Sequence, residues 1–303
     1  MEEMLSNHLL GFKVEQGLQT VILDIAKAVP ILANSLKSFM AGMAGSTNVY
    51  GEKQLRVDVE SNELFVNVLK KNPHVSSLAS EELPDEVMCS AGEEGYSVAF
   101  DPLDGSSLVD VNLSIGSIFG IYKGKGFIGK KGSDQVASLI VVYGPRLTIM
   151  LTIGQGVYEF LYNEDSEDFA ANGSAHLTGD KKMFAPGNLR ACKSEEWYLR
   201  LLQHWVLNEY TLRYSGGMVP DVNQILKKGS GIFTYPGYKE QPQGKLRLLY
   251  ECAPMAFLAE QAGGKATNGK QRILDMMVEK LDQRTPIFLG STKEVELVEK
   301  FMV

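Results

Sequence analysis

Cysteine and histidine are scarce in this chain, and neither occurs at spacings typical of metal or redox sites. The sequence has three cysteines and four histidines among 303 residues. It contains no CxxC pair, no HExxH motif and no GxSxG motif. These absences argue against zinc fingers, thioredoxin-like redox sites, zincin proteases and serine hydrolases. Sparse, unpaired cysteines favour a reduced compartment, so we expect a cytoplasmic protein, or a plastid one if a transit peptide has been removed.

The chain also lacks an excess of basic charge and long apolar runs. Its formal net charge is -7, with 30 lysines and arginines against 37 acidic residues. Non-specific nucleic-acid binding requires a basic face, so we expect no nucleic-acid partner. No uninterrupted apolar run approaches the roughly 20 residues that span a bilayer, so we expect no membrane association.

Helix and strand patterns alternate in both halves of the chain, which predicts an α/β or α+β fold. Apolar residues keep helical spacing over about 14–44, with a kink or break expected at Pro30. The segments YSVAF (96–100) and KLRLLYE (245–251) are predicted to be strands. The polar, turn-rich stretch 162–181 is the predicted junction between two domains, 1–175 and 176–303.

The segment GKGFIG (124–129) matches the GxGxxG pattern of nucleotide-binding loops. Such loops need a helix directly after the glycines, because its N-terminal amides hold the phosphate. Here the sequence breaks again at Gly132 and then resumes as a strand pattern, ASLIVVYG. The motif therefore predicts a hairpin loop and not a nucleotide site.

The stretch VAFDPLDGSS (98–107) carries the strongest chemical signal. An apolar strand ends in two acids, Asp101 and Asp104, and a glycine and two serines follow (Gly105, Ser106, Ser107). Asp-Pro and Asp-Gly are ordinary turn formers, so the acids alone leave a plain turn as an equal alternative. A turn does not need two hydroxyls, whereas amides and hydroxyls after a glycine form a good phosphate cradle.

Carboxylates beside a bound phosphate would repel it unless cations lie between them. Oxygen ligands of this kind select Mg²⁺, with Mn²⁺ as an alternative. Two or three cations need about six oxygens each, so this hypothesis requires further acids elsewhere in the chain. The candidates are Glu52, Asp58, Glu81, Glu82 and Glu251, each of which, taken singly, is more typical of a solvated surface.

The motifs also occur together in a known family. SEE, FDPLDGSS, RYSGGMVPDV, GKLRLLYE and QAGGKAT stand in the same order as in the sugar bisphosphatases, the family of fructose-1,6-bisphosphatase and sedoheptulose-1,7-bisphosphatase. The resemblance runs from about residue 15 to the C-terminus. It implies a layered α-β-α-β-α sandwich, with a metal- and phosphate-binding domain over 1–175 and a sugar-binding domain over 176–303.

The resemblance also implies a set of site residues. Two or three Mg²⁺ ions would be held by five acids and one backbone carbonyl: Glu81, Glu82, Asp101, Asp104, Glu251 and Leu103. Asp58 would act with Glu82 on the attacking water, and Glu52 is a further catalytic candidate that stands where the family more often has aspartate. The scissile phosphate would contact Gly105, Ser106, Ser107 and Arg247.

The sugar and the distal phosphate would contact a second set of residues: Asn188, Arg190, Arg213, Tyr214, Gly216, Met218, Tyr235 and Lys245. In the family, the residue that matches Arg213 reaches into a neighbouring subunit's site. The resemblance therefore implies a homo-oligomer, either a dimer or a tetramer.

Several segments, among them EGYSVAFDPLDGSS and KMFAPGNLRA, are most similar to the sedoheptulose branch of the family. The expected reaction is hydrolysis of the 1-phosphate of sedoheptulose 1,7-bisphosphate. Fructose-1,6-bisphosphatase activity, or activity on both sugars, is the alternative. A catalytically inactive sugar-phosphate sensor and an inositol-phosphate phosphatase are further alternatives, which the retained acids and the RYSGGMVPDV and GKLRLLYE motifs argue against.

Overall fold

The computed structural model describes residues 3–38, 43–47 and 53–302. Its helices are α1 (Leu5–Gly11), α2 (Gln16–Ser38), α3 (Arg56–Lys71), α4 (Glu196–Leu207), α5 (Met218–Lys228), α6 (Ala253–Gln261) and α7 (Thr292–Met302). Its strands are β1 (Met43–Thr47), β2 (Lys53–Leu55), β3 (Val75–Ser80), β4 (Val87–Met88), β5 (Tyr96–Asp104), β6 (Ile115–Lys123), β7 (Gln135–Tyr143), β8 (Leu147–Thr152), β9 (Val157–Asn163), β10 (Asp168–Ala175), β11 (Met183–Pro186), β12 (Thr211–Leu212), β13 (Ile232–Tyr235), β14 (Lys265–Thr267) and β15 (Ile287–Gly290).

The strands form two large sheets and one small one. The first has eight strands in the order β10-β9-β8-β7-β6-β5-β3-β4, in which β3 and β5 are parallel and the other neighbours antiparallel. The second has five strands in the order β12-β11-β13-β15-β14. The short strands β1 and β2 pair with each other. The chain passes from the first large sheet to the second between Ala175 and Met183, within the stretch whose polarity suggested a junction.

Side-chain alternation along the strands explains the layers. On β6, Phe119 packs with α1, α2 and α3 on one face, whereas its neighbour Ile118 packs with α5 and α6 on the other. Helices α5 and α6 also contact the five-stranded sheet, whose outer face is covered by α4 and α7. The resulting order is helices, sheet, helices, sheet, helices, so the predicted α-β-α-β-α sandwich is confirmed.

Helix α2 continues through Pro30. It runs from Gln16 to Ser38 without a break there, and Val29 and Leu32 on either side of the proline are buried in the core. It is also long and apolar enough, by length and composition, to cross a membrane, with a mean hydropathy of 1.2 in its most apolar window. The helix is not an uninterrupted apolar run, because Asp24, Lys27 and Asn34 lie within it, and half of that window is buried inside the protein, as in an ordinary core helix.

The segment KLRLLYE was wrongly predicted to be a strand. Residues Leu248–Cys252 form a π-helical turn that continues directly into α6. Every side chain of this turn is buried. A continuous apolar run of this length is typical of a buried strand and of a buried helical turn alike, so periodicity could not separate the two.

The GKGFIG segment connects β6 to β7, which are antiparallel neighbours, and so forms a hairpin loop as predicted. Its three glycines, Gly124, Gly126 and Gly129, all have positive φ angles. A strand and not a long helix follows the loop, which removes the structural basis for a nucleotide site there.

Candidate active site

The parallel pairing of β3 and β5 brings acids from two segments to the same edge of the sheet. Ser80, the last residue of β3, lies beside Phe100 of β5. Glu81 and Glu82 follow directly, and the N–H of Glu81 donates to the Phe100 carbonyl at 3.1 Å. The N–H of Glu82 donates to Ser80 Oγ at 3.2 Å. The SEE motif therefore ends its strand next to the strand that carries the two aspartates.

A β-bulge allows both aspartates of FDPLD to face one site. Side chains three residues apart point to opposite faces of a regular strand. Here Asp101 pairs with Ile118 and Asp104 with Gly116, so three steps on β5 face only two on β6. This irregularity turns the strand locally. Asp101 and Asp104 consequently line the same cavity.

The third contribution to the acidic cluster comes from the π-helical turn. Glu251 Oε2 accepts the backbone N–H of Arg247 at 2.6 Å, which fixes its carboxylate. Carboxylate oxygens of Glu81, Asp101 and Glu251 all lie within 4.8 Å of one another. This group of three acids can hold a divalent cation. Glu251, a predicted metal ligand, therefore lies in this cluster, but it does so on a π-helical turn and not on the predicted strand.

Burial makes negative charge costly in this cluster. It raises the pKa of Asp101 well above its usual value, and the neighbouring carboxylates of Asp104 and Glu251 raise it further. Burial also raises the pKa of Asp104 to about 6 and that of Glu251 to about 7, although each accepts a backbone N–H. Buried carboxylates that repel one another and offer only oxygen atoms fit a hard cation such as Mg²⁺ or Mn²⁺.

The turn after Asp104 has the conformation expected of an anion cradle. Gly105 adopts the left-handed region with φ 78° and precedes a short 3₁₀ turn, Ser106–Leu108. A Cβ added at Gly105 would lie 3.3 Å from Leu108 and 3.4 Å from Gly217, so the backbones approach closely here. The first amides of a helical turn have no partner within the turn, so those of Ser106 and Ser107 are free of intrahelical hydrogen bonds.

A cavity of about 450 Å³ gathers most of the predicted site residues. It lies between the edge of the eight-stranded sheet, the first turn of α3 and the start of α5. Asp58 lines it from the first turn of α3, where its side chain is buried. The predicted residues that line this cavity are Asp58, Glu81, Glu82, Asp101, Leu103, Asp104, Gly105, Ser106, Ser107, Tyr214, Gly216, Met218, Tyr235, Lys245, Arg247 and Glu251.

A second cavity of about 560 Å³ adjoins the first. The two share three lining residues, Tyr214, Tyr235 and Lys245. Asn188 and Arg190, both predicted to contact substrate, line the second cavity only. A ligand with an anionic group at each end can therefore extend from the acidic cluster in the first cavity into the second cavity, where Lys245 and Arg190 are cationic.

Two of the predicted residues, Arg247 and Arg213, differ in position from the rest. Arg247 lines the first cavity but is only 2% exposed, and its guanidinium forms an ion pair with Glu81. Arg213 follows the edge strand β12, is exposed, and lines neither cavity. Glu52 lies outside the described residues.

Sequence analysis missed two polar residues of the second cavity, Gln241 and Arg284. Arg284 Nη1 donates to the backbone carbonyl of Lys245 at 3.0 Å, so it also supports the chain beside the cavity. No local pattern marks either residue. Arg284 enters the site only through a contact that spans 39 positions of sequence.

Two family models match the chain. Fructose-1-6-bisphosphatase, N-terminal domain, matches residues 4–172, and Fructose-1-6-bisphosphatase, C-terminal domain, matches residues 177–303. The chain belongs to the fructose-1,6-bisphosphatase family. Within this class 1 family it is a sugar bisphosphate phosphatase.

Three similar proteins illustrate the range of the family. A class 1 fructose-1,6-bisphosphatase of Syntrophotalea carbinolica is 46% identical over 288 residues, which cover 94% of this chain and 89% of the relative. A chloroplastic sedoheptulose-1,7-bisphosphatase of Spinacia oleracea is 38% identical over 301 residues, covering 98% and 77%. The crystal structure of Leishmania major fructose-1,6-bisphosphatase in holo form is 31% identical, with a TM-score of 0.93 and 99% of each chain covered.

Proposed function

We propose that the protein hydrolyses the 1-phosphate of fructose 1,6-bisphosphate to give fructose 6-phosphate and inorganic phosphate. The observation that carries the proposal is the convergence of Glu81, Asp101 and Glu251 beside the Gly105–Ser107 turn. The substrate revises the sequence-based preference for sedoheptulose 1,7-bisphosphate. Several relatives at 41–46% identity are named class 1 fructose-1,6-bisphosphatases, whereas the spinach sedoheptulose enzyme is 38% identical.

In this proposal the acidic cluster holds two or three Mg²⁺ ions. The ligands would be Glu81, Glu82, Asp101, Asp104, Glu251 and the carbonyl of Leu103. Bound Mg²⁺ supplies neutralisation of phosphate charge and a bound water of lowered pKa. Charge neutralisation also removes the repulsion among the buried carboxylates, which supports cation binding in this cluster.

Asp58 and Glu82 are the proposed proton acceptors. Both line the first cavity, one from the start of α3 and the other from the end of β3. They orient a water molecule for in-line attack and take its proton as the new oxygen–phosphorus bond forms. The bond from phosphorus to the sugar oxygen breaks with its electron pair on that oxygen, whose charge bound Mg²⁺ would neutralise until the oxygen takes a proton from water. The amides and hydroxyls of Ser106 and Ser107 hold the phosphoryl oxygens in place.

The second cavity is the proposed site of the distal phosphate. Lys245 and Arg190 provide positive charge there, and the hydroxyls of Tyr214 and Tyr235 provide hydrogen bonds. Asn188 is held in position because its Nδ2 donates to the carbonyl of Pro236 at 2.7 Å. Binding energy from this remote group orients the reacting phosphate, so a sugar with a single phosphate should be a poor substrate.

The residues that follow Asn188 support sedoheptulose 1,7-bisphosphate as a second candidate substrate. Directly after Asn188 the chain has Leu189, Arg190 and Ala191, which belong to the segment KMFAPGNLRA that resembles the sedoheptulose branch. These residues begin a 3₁₀ turn beside the second cavity, and Arg190 lines that cavity. A long, flexible arginine there suits a distal phosphate carried on a sugar one carbon longer.

Phosphate release from purified protein tests the proposal. We expect turnover of fructose 1,6-bisphosphate with Mg²⁺, loss of turnover with EDTA, and little activity on fructose 6-phosphate. The specificity constants for the fructose and sedoheptulose substrates decide between the two candidates. Release of no phosphate from either bisphosphate would instead favour the inactive-sensor alternative, and preferred turnover of an inositol monophosphate would contradict the proposal.

The proposed assembly is a homodimer or a tetramer. Arg213 is the residue whose position suggests this, because it is exposed beside an edge strand and lines neither cavity of its own chain. In an oligomer its guanidinium could reach the distal phosphate bound by a neighbouring copy. Light scattering after size-exclusion chromatography measures the mass, and a purely monomeric protein with full activity would contradict the proposal.

A further inference from the structure

Ser117 faces the bulge of β5 from the neighbouring strand. It lies between Gly116 and Ile118, the residues that pair with Asp104 and Asp101. Its side chain is fully buried, and its Oγ donates to the backbone carbonyl of Pro102 at 2.7 Å. The serine hydroxyl therefore binds the main chain between the two aspartates, in the stretch where the strand pairing is irregular.

Proline makes this contact unusually important. Pro102 has no backbone N–H, so its carbonyl is the only main-chain group through which this residue can be held by a hydrogen bond. A buried carbonyl that loses its partner is costly, and the chain around it would then shift to find another one. Any such shift moves Asp101 and Asp104 relative to each other, because Pro102 lies between them.

Tyr143 completes the chain of hydrogen bonds. Its hydroxyl lies 2.9 Å from Ser117 Oγ, and it is almost fully buried at the end of β7. The Ser117 hydroxyl has one proton, and it donates this proton to the Pro102 carbonyl, which can only accept. Tyr143 must therefore be the donor in its bond to Ser117. Burial raises the pKa of the Tyr143 hydroxyl, so that proton is retained at any physiological pH.

We propose that Ser117 and Tyr143 are positioning residues for the divalent cations of the acidic cluster. They hold the carbonyl of Pro102 and thereby set the spacing between Asp101 and Asp104, without contacting substrate or the reacting atoms. This inference rests on the Mg²⁺ site of the proposed function. Groups that bond directly to a metal ligand orient it, and losing one typically weakens metal affinity about 10- to 100-fold. Ser117 acts one residue away from the proposed ligands, so we expect an effect at the lower end of that range.

The test is a calorimetric titration of the metal-free protein with Mg²⁺ alone, on wild type, Ser117→Ala, Tyr143→Phe and the double variant. We expect Ser117→Ala to raise the Mg²⁺ dissociation constant about 10-fold, the lower end of the range for groups that orient metal ligands. Tyr143→Phe should have a smaller effect, since it leaves the bond to Pro102 in place. The double variant should bind no more weakly than Ser117→Ala, because both side chains act through one carbonyl.

Ser230→Ala is the matched control. Ser230 is also a buried serine that donates to a backbone carbonyl, that of Lys181 at 2.9 Å, and it lies 3.4 Å from a second hydroxyl, Ser291 Oγ. It lines neither cavity of the site. We expect Ser230→Ala to lower the melting temperature about as much as Ser117→Ala does while leaving Mg²⁺ affinity unchanged.

Turnover at several Mg²⁺ concentrations separates positioning from catalysis. In the Ser117→Ala variant, the Mg²⁺ concentration for half-maximal activity should rise in parallel with the dissociation constant, and kcat at saturating Mg²⁺ should recover to within about 3-fold of wild type. Unchanged Mg²⁺ affinity in Ser117→Ala, or equal weakening in Ser230→Ala, overturns the inference. A wild-type protein that binds Mg²⁺ but hydrolyses no bisphosphate contradicts the proposed function instead, and the titrations still test the positioning.

Discussion

Asp104 accepts a hydrogen bond from the backbone N–H of Val219 at 2.7 Å, although 115 positions of sequence separate the two residues. The bond joins the end of β5 to the first turn of α5. A helix N-terminus favours a nearby carboxylate, and this counteracts part of the cost of burying Asp104. Strand β5, which carries both aspartates, and helix α5, which lies between the two large sheets, therefore meet at Asp104.

Asp104→Asn should lower the activity of the protein without lowering its stability. The amide oxygen can still accept the N–H of Val219, but the charge that supports a cation is gone. We expect kcat/KM to fall at least about 100-fold, the scale observed when one electrostatic contact to a transition state is lost. Because burial raises the pKa of Asp104 to about 6, the charged form is disfavoured in the fold, and the metal-free variant should melt no lower than wild type at neutral pH.

Asp110→Asn is a suitable control for that substitution. Asp110 follows the same turn, is exposed, and lines neither cavity. It should keep wild-type activity and stability. An Asp104→Asn protein that retains full turnover would remove Asp104 from the proposed ligand set.

The stability of the metal-free protein should fall as pH rises. The pKa values of Asp104 and Glu251 are raised to about 6 and about 7, above those of the unfolded chain. The folded state then retains protons that the unfolded state has released, so this contribution is complete below about pH 4 and lost as pH rises through about 6 to 7. Mg²⁺ competes with those protons, so its stabilising effect should be largest above about pH 7.

Thermal melts between about pH 5 and about pH 8, with EDTA or with Mg²⁺, measure this effect. We expect the Mg²⁺-dependent rise in melting temperature to grow across that range. Glu251→Gln serves as the comparison, because it removes the group with a pKa of about 7 and should flatten the pH dependence in EDTA. An equal Mg²⁺ effect at both ends of the pH range contradicts the assignment of the cluster as the binding site.

Local sequence could predict the part of the site that lies within one short segment. Asp101, Asp104 and Gly105 stand within one short segment, and the chemistry of that segment follows from the residue types alone. Glu251 was also a candidate, but the segment that carries it was wrongly predicted to be a strand. Leu248, Leu249 and Tyr250 are all buried, and a short buried run has no period that distinguishes a strand from a helical turn. Family resemblance, and not periodicity, supplied the five residues of the second cavity that were predicted: Asn188, Arg190, Tyr214, Tyr235 and Lys245.

Other features depend on tertiary contacts that no local pattern reveals. The strand register that gives the Asp101–Asp104 bulge involves β6, and the bond from Ser117 to Pro102 spans 15 positions. Arg284 enters the second cavity across a separation of 39. The α/β class was predictable because helix and strand patterns alternate in both halves, and the layered arrangement followed from the family resemblance, whereas such contacts depend on how those elements pack.

Arg190→Gln should weaken binding of bisphosphates without changing the chemistry of the acidic cluster. A charge-assisted hydrogen bond to phosphate contributes about 1.5–3 kcal/mol, so KM should rise about 10-fold or more while Mg²⁺ activation stays unchanged. Arg200→Gln is the control, since Arg200 is exposed, pairs with Glu196 on α4 and lines neither cavity. If Arg190 favours the longer sugar, KM for sedoheptulose 1,7-bisphosphate should rise more than KM for the fructose substrate.

Gly105→Ala should affect both the fold and the phosphate cradle. Its φ of 78° is strained for alanine, and the added methyl group would lie close to the Leu108 side chain at 3.3 Å and in ordinary contact with Gly217 at 3.4 Å. Gly92→Ala separates the two effects, because Gly92 has φ +65° but no atom within 4 Å of the added Cβ. Both variants should lose about 1 kcal/mol from backbone strain, whereas only Gly105→Ala should also lose kcat/KM. Phosphate-release assays with chemical denaturation measure both quantities, and equal activity in the two variants would argue that the turn after Asp104 does not hold the reacting phosphate.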